Sequence, residues 1–180
     1  MPADLDEKLL VRSVGLFWEA RNVFWGAGSQ AGALYGVPAN NVSVDPIDFR
    51  DQVGIYVLYA GYQLVYVGQA GSNNSFLLNR LKQHRKDDLA GRWDRFSWFG
   101  LRWVKQDNKL SKVVEAHHPS TPRTLDHIEA ILIHAAEPPL NRQGGRFGKT
   151  VIRYTQSRDE RLGPSDRDLL VAIHRAATER

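Results

Sequence analysis

The chain has 180 residues, enough for one domain with extensions and a core of its own. Apolar residues make up 42% and charged residues 24%, which excludes wholesale disorder; the absence of cysteine excludes a disulfide scaffold, a thiolate nucleophile and every cysteine-based zinc or iron–sulfur site. Net charge is +4, Met1 to Lys8 is acidic without the apolar stretch of a signal peptide, and no apolar run is long enough to span a bilayer, so a soluble, cytoplasmic protein with no membrane partner is expected.

The first fifty residues are hard to assign. Val14 to Trp18 and Val23 to Trp25 are aromatic-rich and fit short strands or one helix, while the glycines of Gly26 to Pro38 read as loop. From Val53 the pattern sharpens. Val53 to Tyr59 is a buried strand, Gly61 a turn and Leu64 to Val67 a second strand, so the two form a hairpin. Asn74 or Ser75 caps a helix from about Phe76 to Lys86, with Leu77, Leu78 and Leu81 at helical spacing. Arg95 to Val104 suits a third strand and Asp107 to Pro122 a polar loop. A helix beginning at Thr124 or Asp126 places Leu125, Ile128, Ile131 and Leu132 on one face, and Pro138-Pro139 ends it. Gly144, Gly145 and Gly148 mark an open loop. Ser165 caps a last helix to Ala177, with Leu169, Leu170, Ile173 and Ala177 as its buried stripe. Three units follow: an N-terminal extension (1–52) packed on the core, a central domain (53–150) and a C-terminal helical extension (151–180).

Charge is unevenly spread. Residues 1–52 hold seven acids against four bases, residues 80–105 eight bases against three acids, and residues 138–158 five bases and no acid. Such a basic middle is the footprint of a polyanion binder, and equally of a solvated basic face.

Several motifs fail. Gly144 to Thr150 resembles a phosphate-binding loop, but Gln143 stands where its first glycine belongs. Gly26 to Gly32 is one residue too long for a dinucleotide fingerprint. His127-Ile128-Glu129 matches the start of a deaminase signature whose cysteines this chain lacks, and His117-His118 reads as solvated loop.

One ordered set survives. Gly54-Ile55-Tyr56 opens the first strand and Tyr66-Val67-Gly68 closes the second. Arg80 and His84 follow on a helix, then Glu129 within another, then Asn141 after Pro138-Pro139-Leu140. Over roughly Val53 to Arg146 this resembles the GIY-YIG nuclease family, with Val67 where the name has isoleucine. The resemblance implies a small α/β (α+β) fold, an antiparallel three-stranded sheet flanked by helices. It also implies a metal-dependent endonuclease acting on DNA in restriction, defence or repair. The different-class alternative is a non-catalytic nucleic-acid-binding protein that kept the fold.

Residue chemistry stands beside that resemblance. Arg80 and His84 are four apart, about 40° around a helix axis, and share a face. An arginine there clamps a phosphate and supports transition-state charge, and no acid three or four residues away offers it a surface partner. His84 suits a proton relay or an exposed helix end. Glu129, flanked by apolar residues, needs a base or a metal; the resemblance favours Mg²⁺, with Mn²⁺ able to substitute. Tyr56 and Tyr66 are packing residues in most strands, but the resemblance puts both in the active site, with Tyr56 helping to activate water, Tyr59 and Tyr62 remaining packing residues. Asn141 fixes a loop or is a plain turn residue. Gln69, Arg92, Arg95, Arg142, Arg146 and Lys149 are the candidate DNA contacts. The oligomeric state is left open, a homodimer included.

Overall fold

The structure is a computed structural model that describes residues 10–72, 75–112, 121–137, 147 and 151–178, with the backbone alone for 121–123. In chain order the strands are β1 (Ser13–Glu19), β2 (Phe24–Ala27), β3 (Gln30–Ala33), β4 (Tyr35–Pro38), β5 (Ile47–Asp48), β6 (Gly54–Ala60), β7 (Gln63–Ala70), β8 (Arg95–Gly100) and β9 (Ile152–Gln156). The helices are α1 (Leu77–His84), α2 (Thr121–Ala136) and α3 (Asp166–Thr178).

Seven strands form one sheet in the order β5-β4-β9-β1-β8-β6-β7, and β2 pairs with β3 in a separate two-stranded ribbon. The β1–β9 pairing is parallel and the others antiparallel, so the large sheet is mixed. This corrects the expected small three-stranded antiparallel sheet. The expected hairpin is present as β6–β7, with β8 on the other side of β6. Strands from both ends of the chain then extend the sheet: β1 pairs with β8, and β9 and β4 follow.

Aromatic packing explains why the first half-hundred residues build strands despite their glycines. Trp18, Phe49, Phe96, Trp98 and Tyr154 are almost fully buried in one cluster. Trp18 meets Trp98 edge to face with ring centroids 5.3 Å apart, a preferred aromatic geometry. Gly36 in β4 lies under the Trp18 indole, where a Cβ would collide with the ring. The glycine expected to mark a loop therefore marks a strand that must approach a large ring closely. β9 escaped notice because only Tyr154 of its five residues is buried, too little for a period-two pattern.

The two faces of the sheet are covered differently. Tyr56 and Leu58 of β6 join Leu77, Leu78 and Leu81 of α1 in the larger cluster. Val57 and Tyr59 of the same strand join Ala130 and Ala135 of α2, with Phe99 and Phe147. Burial on both faces is why β6 reads as a continuous apolar run. The N-cap of α1 is Phe76, which makes no side-chain cap hydrogen bond, so the cap does not fall on Ser75; Asn74 lies outside the described residues.

Both later helices turn differently from their apolar periodicity. α2 buries His127, Ala130 and Ala135 and exposes Leu125, Ile128 and Leu132. Small Ala130 permits close approach to the sheet, and His127 Nδ1 accepts the Val11 N–H at 3.2 Å. α3 starts as expected: Ser165 Oγ accepts the Asp168 N–H while the Asp168 carboxylate accepts the Ser165 N–H, a reciprocal cap. Its stripe of Leu169, Leu170 and Ile173 is exposed, not buried. Pro138, Pro139, Gly144, Gly145 and Gly148 lie outside the described residues. No helix among the described residues is long and apolar enough to cross a membrane.

Candidate functional site

The hairpin and α1 bring four of the expected residues together. Tyr56 points from β6 toward α1, and its hydroxyl lies 2.7 Å from His84 Nε2. Tyr66 of β7 sits opposite Leu58, on the same face as Tyr56. Its ring centroid is 4.7 Å from the His84 imidazole and 6.2 Å from the Tyr56 ring. Arg80, one helical turn before His84, is half-buried.

The local sequence makes this arrangement by two devices. Gly68 faces Tyr56 across the β6–β7 ladder, and a Cβ there would collide with the Tyr56 hydroxyl. The glycine opens the space in which the phenol reaches His84. At the end of α1, Trp93 Nε1 donates to the His84 carbonyl at 3.2 Å, which holds the backbone that carries the imidazole.

Burial dominates the electrostatics. Tyr56 is 0% exposed, and burial pushes its pKa up to about 12, while the Arg80 charge acts in the opposite direction. His84 is buried as well, which rules out the exposed helix-end role weighed for it. Tyr66 and Arg80 are half-exposed and form the outward layer of the cluster. Arg80 donates to Gln83 Oε1 at 2.8 Å, and its Nε is buried without a hydrogen bond. Arg95, Arg102 and Arg158 share that feature, so it does not by itself mark a site. What distinguishes Arg80 is its place beside Tyr56.

Sequence reasoning missed Asp87. Its Oδ2 lies 2.7 Å from His84 Nδ1, on the ring nitrogen that Tyr56 leaves free. The backbone N–H of Leu89, then the hydrogen bond with His84, hold this carboxyl below its usual range. The signal was an acid three residues after His84, set in the mixed-charge run Arg85-Lys86-Asp87-Asp88.

The other candidates lie elsewhere. Glu129 is exposed on α2, the helix over the Tyr59 face, so the structure does not bring it to Tyr56. Gln69 is exposed and sits opposite Ile55, also on the face away from Tyr56. Arg95 pairs with Glu19 at 2.8 Å and covers the Tyr62 ring, and both contacts serve the fold. Arg92 is exposed between α1 and β8. Asn141, Arg142, Arg146 and Lys149 lie outside the described residues.

Among the described residues the donor set does not assemble a metal centre with the tyrosine cluster. Among the described residues no three His, Asp or Glu side chains converge for an ion. Glu129, the expected oxygen ligand, is carried by α2 on the face of the sheet opposite Tyr56 and His84. Comparison with family models, with curated proteins and with solved structures finds no match to this chain.

Proposed function

We propose that this protein is an endonuclease that hydrolyses DNA phosphodiester bonds at the Tyr56–Tyr66–Arg80–His84 cluster, in the manner of the GIY-YIG nucleases it resembles. The observation that carries the proposal is the buried 2.7 Å contact between the Tyr56 hydroxyl and His84 Nε2. A phenol with a pKa near 12 is a poor base precursor alone, but a histidine in contact can take its proton.

The step follows from that pairing. A water oxygen attacks phosphorus in line, the new P–O bond forms, and the P–O bond to the leaving oxygen breaks. The water's proton passes to the tyrosine pair as the Tyr56 proton moves to His84 Nε2. Because Tyr56 is fully buried, half-exposed Tyr66 faces the water and hands the proton inward. Arg80 meets the charge that builds on the phosphoryl oxygens. The leaving oxygen takes its proton from solvent. No step is routed through a metal; the expected need for Mg²⁺, or Mn²⁺ in its place, is tested directly. The basic middle of the chain supplies sequence-independent phosphate attraction. A role in restriction, defence or repair, a cytoplasmic setting and any homodimer belong to this proposal.

The test is cleavage of duplex, single-stranded and branched DNA with Mg²⁺, with Mn²⁺ and with chelator, by wild type and by Arg80→Ala and Glu129→Ala. Cutting that is lost in Arg80→Ala supports the proposal, and its loss with chelator would show the expected need for a metal. Loss in Glu129→Ala as well would show that Glu129 reaches the reaction despite its place on the far face. Tight binding of DNA without cutting favours a non-catalytic binding protein, a second reading that the separation of Glu129 from the cluster and the burial of Tyr56 favour.

A further inference from the structure

The Tyr56–His84 contact continues through the imidazole to a third group. Asp87 follows α1 by three residues, on a turn closed by its own N–H donating to the Gln83 carbonyl at 3.1 Å. Its two carboxylate oxygens are both engaged: Oδ1 accepts the Leu89 N–H at 2.9 Å, and Oδ2 meets His84 Nδ1 at 2.7 Å. An ionised carboxylate only accepts hydrogen bonds. Nδ1 therefore carries a proton, and in the neutral imidazole Nε2 presents a lone pair to the Tyr56 hydroxyl. The Tyr66 ring packs against the imidazole, and Trp93 holds its backbone. Among the described residues, the ionisable groups around His84 are Tyr56 from β6, Tyr66 from β7, Arg80 from its own helix and Asp87.

We propose that Asp87 is the positioning residue of this site: it fixes His84 in the Nδ1–H tautomer, so that Nε2 accepts the Tyr56 proton, and its charge offsets the imidazolium that results. The proton moves from Tyr56 Oη to His84 Nε2, Asp87 keeps its charge, and solvent later recovers the proton from the imidazolium. The tautomer of the neutral ring follows from the Asp87 contact; its catalytic consequence rests on the hydrolase proposal above.

The conservative variant Asp87→Asn reverses the logic. The Leu89 N–H retains the amide oxygen as its acceptor, which turns the amide NH₂ toward Nδ1. His84 then becomes the Nε2–H tautomer and donates to Tyr56 instead of accepting from it. The test is ¹⁵N NMR of the imidazole nitrogens in the full chain at neutral pH, with His84→Gln used to assign its signals among the six histidines. Wild type is expected to show the Nδ1–H tautomer and Asp87→Asn the Nε2–H tautomer, with DNA cleavage by the variant down roughly 10²- to 10⁴-fold. An Nε2–H tautomer in wild type, a reading that needs no variant to fold, would overturn the proposal, as would an unchanged tautomer in a folded Asp87→Asn. The expected tautomers in a protein that cleaves no DNA would uphold Asp87 and defeat the hydrolase proposal separately.

Discussion

Tyr56 and Tyr59 stand three residues apart on β6, both 0% exposed, on opposite faces of the sheet. Burial raises the pKa of both. They differ in what their hydroxyls meet. Tyr59 donates to the Ala135 carbonyl at 2.9 Å, a fixed acceptor that ties α2 to the sheet. Tyr56 meets an imidazole backed by a carboxylate, an acceptor that can take the proton away. Equal burial with unequal partners separates a tyrosine bonded to a backbone carbonyl from one bonded to an imidazole, and burial alone would have ranked them the same.

The strongest perturbation of this contrast is at the α1 face. His84→Ala removes the proton acceptor and is expected to lower DNA cleavage roughly 10²- to 10⁴-fold in a single-turnover assay, with DNA binding retained. Arg80→Ala should cost roughly 10²- to 10³-fold in the same assay, because it removes a donor aimed at developing charge. Gly68→Ala tests the space that the Tyr56 hydroxyl occupies. Its Cβ collides with that hydroxyl, so a loss of about 1–3 kcal/mol in urea unfolding is expected, together with loss of cleavage.

Alkaline titration sharpens the same point. The Tyr56 pKa is raised from 10.0 to about 12 in the native state, and Tyr154 is raised to about 12 as well. For a raised pKa the stabilising contribution is complete below the unfolded value and is lost as pH rises through the native one. Stability should therefore fall between pH 10 and 12, as read in a urea series over that range. Asp87 acts in the opposite sense: its depressed pKa contributes stability above the unfolded carboxyl value that is lost on acidification. The smallest effect is expected at α3, which buries no residue: Leu170→Ser should change stability by no more than about 0.5 kcal/mol in the same urea measurement.

The β6–β7 hairpin and α1 were legible because their patterns are local: an apolar strand, a glycine turn and a leucine stripe against one helix. The cluster was legible through Tyr56, Tyr66, Arg80 and His84, which the hairpin and one helix hold close together. The seven-stranded sheet was not, because its added strands depend on pairings far apart in sequence: β1 meets β9 across more than half the chain. No window of residues records such a contact. The face of α2 was misjudged for a related reason. Leu125, Ile128 and Leu132 outweigh His127, Ala130 and Ala135 in hydrophobicity, but the sheet receives the helix through its small residues. Asp87 was missed because its significance lies in a side-chain contact, and its neighbours made it look like one charge among several.

The most direct measurement is DNA cleavage by Tyr56→Phe and Tyr59→Phe side by side, each with its urea unfolding curve. The account predicts that Tyr56→Phe loses cleavage by at least about 100-fold while staying folded. Tyr59→Phe should keep its activity and lose about 1–3 kcal/mol of stability by leaving the Ala135 carbonyl unpaired. Equal cleavage by both folded variants at the wild-type rate would contradict it, because the two faces of β6 would then differ in packing and not in chemistry.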